Sequence, residues 1–266
     1  MSIVGWVWKS ALYILLNKPH INTYYNHKLT NMKKVTKAIA AIMLMTAVVF
    51  AAGCTKEETG SGSYNGHNYV DLGLPSGTLW ATSNLEAGNS KGYSFFAWGE
   101  TQTKSTYTWD TYKFYEIVGN LTRMTEYSSD DHQTVLYAED DAVAMHWGEA
   151  WRMPTHEEWN ELVNNCTYTW TKRNGTYGGL FTASNGNTLF LPAAGFMDRP
   201  EAGGHIGEGI VGNYWSSSLA TDSEYNAKSI QLTDGEIGAN NECFDPRCLG
   251  YSIRPVHDLL NMINTK

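Results

Sequence analysis

The sequence predicts an α+β domain made of short strands, two short helices and long irregular loops. Three dipeptides that favour tight turns, Asn174-Gly175, Asn185-Gly186 and Asp234-Gly235, separate apolar segments in the C-terminal half. Such pairs favour β-hairpins because both residues accept positive φ angles. Two other segments carry helix-start signals, and the stretch from Glu100 to about Tyr137 shows no clean period. We interpret that stretch as a long loop region or an insertion.

The strands are predicted from short apolar runs between turns. Tyr69–Leu74 and Thr78–Thr82 are joined through Pro75-Ser76-Gly77, and Tyr93–Trp98 is a third apolar run. Three hairpins and a final strand follow, and their segments are Thr167–Lys172, Thr182 onward into Leu189–Leu191, Ser229–Leu232 into Ile237, and Tyr251–Val256. In the final strand we expect the Arg254 guanidinium to pair with a buried carboxylate or to donate hydrogen bonds to helix carbonyls. No block recurs at a fixed period, which excludes solenoid and propeller architectures.

Two helices are predicted from their N-caps. Asp140 or Asp141 can cap a short helix over Ala142 to Trp147. Thr155 followed by Glu158 at the third helical position forms a capping box, which marks the start of a second helix. Its apolar face is predicted to comprise Trp159, Leu162 and Val163.

The N-terminal part of the chain has the pattern of a lipoprotein signal peptide. A basic segment with Lys33, Lys34 and Lys37 precedes the apolar run Ala38–Phe50, and small residues precede Cys54. The apolar run is too short for a membrane span. We therefore expect cleavage before Cys54 and acylation of that cysteine, with palmitate among the acyl chains.

The predicted organisation has five parts. After the signal peptide, an acidic and Gly/Ser-rich tether leads into one domain, and we interpret the residues before the signal as a misassigned upstream extension. The ranges are 1–31 for the extension, 32–53 for the signal peptide, 54–63 for the tether, 64–258 for the domain and 259–266 for a C-terminal tail.

The charge distribution excludes one class of partner. Residues 1–53 hold six of the 19 Lys and Arg residues and none of the 27 Asp and Glu residues. The remaining chain therefore carries 13 basic against 27 acidic residues, a net charge of −14. Such a surface repels phosphate backbones, so we expect no nucleic-acid partner.

Five ordered blocks stand out along the chain: Val70–Ala81, Phe96–Glu100, Trp151–Thr155, Gly212–Ser218 and Gly250–Val256. They resemble surface lipoproteins of gut Bacteroidota that carry a domain of the Fibrobacter succinogenes major paralogous type. More distantly, they resemble formylglycine-generating (sulfatase-modifying) enzymes. The resemblance implies a C-type-lectin-like fold. It also implies that Lys56-Glu57-Glu58 is a signal for localisation to the outer face of the outer membrane.

In lipoproteins of this kind the stretch that matches Trp215–Gly250 forms the ligand surface. In some of them a retroelement diversifies its residues. The resemblance implies a protein or glycan ligand bound by C-terminal loops, and the Ser, Asn, Tyr and Asp content suits adaptable recognition. The candidate ligand-binding residues are Trp215, Ser217, Tyr225, Asn226, Asn240, Asn241, Phe244 and Asp245. The alternatives are ordinary polar loops and a structural component of a cell-surface or fimbrial assembly.

An enzyme is not predicted. Cys243 and Cys248 can form a disulfide or stay as free thiols, since an exported protein permits pairing. They also share the C-x4-C spacing of the copper-binding pair in formylglycine-generating enzymes, but they lie much closer to the final block than in those enzymes. We therefore expect no cofactor and no catalytic residue.

Other candidate sites are weak. The histidines lack metal-ligand spacing, and Asp130-Asp131 and Glu139-Asp140-Asp141 lack the alternation of a calcium loop, so we expect solvated acidic faces. Aromatic rings stack on sugar faces, but most tryptophans occur in the blocks above and are predicted to fill the core. Trp109, in a polar segment, is the one expected to be exposed.

Overall fold

The computed structural model of the chain describes residues 60–86, 93–199, 204–238 and 244–258. They all belong to one compact unit, Thr59–Lys266. Most of the regular structure is β-sheet, accompanied by two short α-helices and irregular loops. The predicted α+β class is therefore confirmed. Cys54 and the signal peptide lie outside the described residues.

The strands are short and are numbered here in chain order. They are β1 Gly62–Tyr64, β2 His67–Asp71, β3 Thr78–Ala81, β4 Tyr115–Val118, β5 Leu121–Met124, β6 Trp151–Arg152, β7 Cys166–Arg173, β8 Thr176–Ala183, β9 Thr188–Pro192, β10 Phe196–Met197, β11 His205–Ile206, β12 Gly212–Leu219, β13 Asn226–Leu232, β14 Ile237–Gly238, β15 Phe244–Pro246 and β16 Val256–Asp258. The helices are α1 Ala142–Trp147 and α2 His156–Asn165, and two 3-10 turns cover Trp109–Thr111 and Ala138–Asp140.

The first and last strands share one antiparallel sheet, in the order β1-β2-β3-β16-β6. Trp80 of β3 pairs with Val70 on one side and with Val256 on the other. The final strand begins at Val256, so the predicted strand Tyr251–Val256 is wrong in its bounds. Tyr251 forms only an isolated bridge, to Phe96, because the chain there crosses the core between sheets.

The predicted hairpins are confirmed. Strands β7, β8 and β9 form one three-stranded sheet, in which the turns at Asn174-Gly175 and Asn185-Gly186 connect neighbouring strands. Strands β12, β13 and β14 form a second sheet, and β15 pairs with Asn226–Lys228 of β13 on the side opposite β12. In this sheet Asp234-Gly235 connects β13 to β14.

Both helices begin where their caps predict. The Asp141 carboxylate accepts the backbone N–H groups of Val143 and Ala144 at the start of α1. At the start of α2, Thr155 and Glu158 form the expected capping box. Trp159 and Leu162 of α2 are fully buried. The sequence predicts where both helices begin because a cap depends only on residues within one turn of the helix start.

An ion-pair cluster joins α2 to the central sheet. Arg152 at the end of β6 makes two 2.7 Å hydrogen bonds to the Glu158 carboxylate and one of 2.6 Å to Asp258 in β16. The Thr78 hydroxyl donates to the same Glu158 carboxylate at 3.0 Å. Arg152 thus connects β6 to β16 and α2, and the Glu158 carboxylate connects α2 to β3.

The segment from Glu100 to Tyr137 is more ordered than the sequence predicts. It contains the β4–β5 hairpin, and its aromatic residues supply core side chains, of which Tyr107, Phe114 and Tyr127 are at most 2% exposed. The sequence interpretation is a long loop region or an insertion; the segment is mostly irregular but also contains this hairpin, and the insertion stays a prediction. These core residues are spaced irregularly because Tyr107, Phe114 and Tyr127 lie outside the strands and helices, and only Met124 of the core comes from β5.

Arg254 has a different environment from the one predicted. Its guanidinium donates to the Asn84 side chain at 2.9 Å, to the Ala81 carbonyl at 2.8 Å and to the Phe190 carbonyl at 3.1 Å. These acceptors are an amide and two carbonyls in or beside strands. The expected buried carboxylate or helix carbonyls are therefore not its partners.

Candidate functional site

Two of the predicted ligand-binding residues are core residues. Trp215 is 0% exposed, stacks on Tyr251 with ring centroids 4.3 Å apart and donates its Nε1–H to the Phe96 carbonyl. Ser217 is 4% exposed and donates its backbone N–H to the Pro154 carbonyl at 2.8 Å. Both predictions were wrong because β12 is covered on both faces along its whole length.

Asp245 and Asn226 hold strands together. The Asp245 carboxylate accepts from Ser229 and Tyr251, and burial raises its pKa above the ordinary value of 3.8 against the opposing effect of these hydrogen bonds. Asn226 pairs with Pro246 across β13 and β15. The carboxylate of Asp245 is thus turned towards buried residues rather than towards a ligand.

Tyr225 is the predicted residue that lies nearest to a usable surface. Its hydroxyl donates to the Thr122 carbonyl at 3.1 Å, and its ring packs edge-on against Trp109 at 5.8 Å. Phe244 places its backbone in β15 opposite Lys228. Asn240, Asn241 and Cys243 lie outside the described residues, so their roles stay predictions.

A cleft of about 930 Å³ lies beside Trp109 and is here named the Trp109 cleft. The segment Glu100–Tyr137, whose sequence shows no clean period, forms one wall. The loop after β15 forms the opposite wall. Its lining residues are Tyr107, Thr108, Trp109, Asp110, Tyr115, Asp198, Arg199, Pro246, Cys248 and Leu249.

The Trp109 ring is half-buried and held by three neighbouring aromatic rings. Tyr112 and Tyr225 contact it edge-on at 5.7 and 5.8 Å, and Tyr115 lies at 5.3 Å with a tilt of 36°. A ring fixed in this way offers apolar area at little cost in side-chain entropy. The sequence predicted exposure of Trp109 but gave no sign of the charged residues Asp198 and Arg199 beside it.

A second cleft of about 520 Å³ shares Tyr107 with the first. It is lined by aromatic and apolar side chains, including Phe95 and Met197, and by the charged or ionisable groups Lys104, His205 and Glu208. The His205 Nε2–H donates to the Ala194 carbonyl at 2.7 Å, and Nδ1 lies 3.7 Å from the Glu208 carboxylate. The two clefts therefore flank the buried Tyr107 ring.

Cys248 is the one residue of the predicted cysteine pair that lies among the described residues. Cys248 is buried and carries a free thiol, and burial raises its pKa to about 12. A copper ion needs thiolates, which such an environment disfavours, and its predicted partner Cys243 lies outside the described residues. The disulfide therefore stays a prediction, and we derive no reaction step through copper.

The acidic clusters serve the fold. Asp131 accepts the backbone N–H groups of Tyr127, Ser128 and Gln133, and Asp140 accepts from Lys113 and the Tyr127 hydroxyl. In the described ranges, no group of three or more His, Cys, Asp or Glu residues is arranged to hold a metal ion. Likewise, no helix in those ranges has both the length and the apolar character to cross a membrane.

Comparisons of the chain with protein-family models, with curated proteins and with solved structures give no significant match.

Proposed function

We propose that this chain is a surface-displayed lipoprotein that binds a protein or glycan ligand in the Trp109 cleft. The observation that carries the proposal is the position of Trp109, a half-buried tryptophan fixed by three rings beside a cleft of about 930 Å³. Five of the other seven tryptophans after residue 54 (Trp80, Trp98, Trp151, Trp159 and Trp215) are fully buried. Trp109 therefore combines ring area with access to solvent.

The chemistry of the cleft suits recognition rather than catalysis. Asp110, Asp198 and Arg199 place carboxylates and a guanidinium around the ring, and Thr108 adds a hydroxyl. Sugars and polar peptides both combine an apolar face with hydrogen-bonding groups, which such a lining complements. The predicted ligand stretch contributes Pro246, Cys248 and Leu249, so the proposed site keeps part of that stretch and adds the 107–115 segment.

The proposal includes the fold and the address that the sequence resemblance implies. A mixed core with two short helices and long irregular segments supports a C-type-lectin-like fold. The proposed anchor is acylated Cys54 in the outer membrane, and the domain faces outward. In this proposal a retroelement diversifies residues of its loops. Replacing Cys54 with Ala should release the protein from the membrane fraction, and retention of the variant there would refute the anchor.

The ligand is tested with the full-length chain on a glycan array and in a host-protein pull-down. Any ligand retained should bind Trp109→Ala about tenfold or more weakly, the range of an aromatic hot spot. Trp170→Ala is the matched control, since Trp170 lies in β7 outside the cleft. Equal affinity of Trp109→Ala and the unchanged protein, or no ligand from either screen, would contradict the proposal.

A second candidate function is a structural role in a surface assembly. The tip of the β4–β5 hairpin exposes three apolar side chains, Ile117 at 59%, Val118 at 54% and Leu121 at 75%. Co-purification with an envelope or fimbrial complex that Leu121→Asp abolishes would support this role. Ile210→Asp, at another exposed apolar position, serves as the control.

A further inference from the structure

Two arginines of this domain are almost completely buried, and their surroundings differ. Arg247 is 0% and Arg254 is 1% exposed. The Arg247 guanidinium lies over four aromatic rings, at 4.7 to 5.6 Å from their centroids. Such rings attract a cation through the negative charge on their faces. Arg247 therefore has a favourable electrostatic environment without a carboxylate.

Arg254 has no comparable compensation. Across the described ranges, neither a carboxylate ion pair nor an aromatic ring over the guanidinium is found for it. Its partners Asn84, Ala81 and Phe190 are neutral acceptors. Burial lowers its pKa to about 10, although Tyr214 opposes this shift. A buried charge without a counter-charge is costly, so an anion near it would be strongly favoured.

Arg254 lines a pocket that an anion can enter. The pocket has a volume of about 400 Å³ and lies between the end of β3, the β7–β8 turn and β9. Arg173 lines the same pocket, with its guanidinium 5.8 Å from the Phe190 ring. Asn84, Thr82 and Ser83 add polar groups, while the exposed Glu86 contributes the single carboxylate of the lining.

We propose that this pocket binds an anionic oxygen group, a carboxylate or sulfate of a ligand, between Arg254 at its base and Arg173 at its rim. Both arginines present planar donors that match such oxygens. The Arg254 guanidinium donates to Asn84, Ala81 and Phe190 and also hydrogen-bonds Tyr214, and both Arg254 and Arg173 line the pocket. The site is separate from the Trp109 cleft, with which it shares no lining residue.

The test follows the Arg254 Nε–H signal in ¹H–¹⁵N spectra of the full-length chain during titration. The probes are sodium sulfate and, separately, sodium acetate, each exchanged against chloride at constant ionic strength. We expect a saturable shift with at least one probe, and a shift with sulfate alone or acetate alone identifies the group preferred. No saturable shift with either probe would overturn the proposal.

Three variants separate a built site from diffuse surface charge. Arg173→Gln should weaken binding about fivefold, the value of one exposed charge contact. Lys172→Gln, next in sequence but outside the pocket lining, should bind as the unchanged protein does. Glu86→Gln should bind more tightly, because it removes a repulsive carboxylate. Equal weakening by Lys172→Gln and Arg173→Gln would overturn the proposal, and so would weaker binding by Glu86→Gln.

Discussion

The guanidinium carbon of Arg247 lies 4.7 Å from the centroid of the Trp98 ring, and both side chains are fully buried. The same guanidinium donates to the Tyr112 hydroxyl and to the carbonyls of Glu126, Tyr127 and Glu224. Arg247 thereby attaches the loop after β15 to the 107–127 segment. These are the two walls of the Trp109 cleft, so this one side chain sets their spacing.

Replacing Arg247 with Met should lower the free energy of unfolding by about 3 kcal/mol or more, because several buried acceptors would lose their donor. Urea unfolding monitored by tryptophan fluorescence measures the change. Arg123→Met is the matched control: Arg123 is exposed and pairs with Glu116, so its loss should cost about 0.5 kcal/mol. A similar small loss for Arg247→Met would show that the rings, not the cation, hold the walls.

The Arg152–Glu158 pair predicts a pH dependence of stability. Burial raises the pKa of Glu158, but the hydrogen bonds and charge of Arg152 outweigh burial and bring it below the ordinary 4.5. A carboxyl whose folded pKa is depressed stabilises the fold above its unfolded pKa and loses that contribution as pH falls. We expect this contribution at pH 7 and its loss below about pH 4.5.

The measurement is urea unfolding of the unchanged protein and Glu158→Gln at pH 7, 5, 4 and 3. Glu158→Gln should be about 1 to 3 kcal/mol less stable at pH 7, and the difference should shrink as the pH falls below 4.5. Burial raises the pKa of Asp141, which acts with the opposite sign, so only the difference between the two proteins is informative. A pH-independent difference would contradict the linkage.

Two glycines with positive φ angles are predicted to lose different amounts of stability when they are replaced by alanine. Gly175 and Gly195 both have positive φ, of 86° and 72°. A Cβ at Gly175 meets nothing within 4 Å, whereas one at Gly195 falls 2.2 Å from the Ile206 carbonyl oxygen. Gly175→Ala should therefore cost about 1 kcal/mol from backbone strain, and Gly195→Ala clearly more. Equal costs in thermal unfolding would show that the Gly195 backbone shifts freely.

The thiol environments predict slow alkylation in the folded protein. Burial raises the pKa of Cys166 to about 11 and that of Cys248 to about 12, so few molecules carry a thiolate at pH 8. With reductant present, iodoacetamide should label both slowly and both much faster in urea, as peptide masses report. Rapid labelling of Cys248 in the folded chain would contradict its burial. Omitting reductant tests the Cys243–Cys248 disulfide through a loss of two hydrogens.

The sequence predicts those elements whose signals are local. The Thr155–Glu158 capping box and the Asn174-Gly175 turn lie where the pattern places them, because each depends on residues within one turn of chain. In the Glu100–Tyr137 segment the hairpin and the core residues were not predicted. Its aromatic residues fill the core through contacts with residues such as Arg247, which is far away in the sequence.

The candidate ligand-binding residues show the same limit of prediction from local sequence. Ser216, Ser217 and Ser218 have the composition of a loop, yet each is buried, because backbone carbonyls and N–H groups of other segments satisfy their hydroxyls. The resemblance and the loop-like composition therefore placed Trp215 and Ser217 on the ligand surface, although both side chains are buried. Trp109 was predicted to be exposed because its flanking residues in the Thr106–Asp110 segment are polar, whereas its ring is half-buried and packs against the core.

The position of β16 has a consequence for how the domain is made. The strand lies between β3 and β6, so β6 cannot join β1, β2 and β3 in the sheet until β16 has been synthesised. Pairing between Trp80 and Val256 spans most of the domain, which makes folding slow relative to a helical protein of this size. The strands synthesised earlier keep unpaired edges until β16 is made, and these edges need protection from aggregation during that interval. A ribosome-stalled chain that ends before β16 should therefore be more sensitive to protease than a released chain that contains β16.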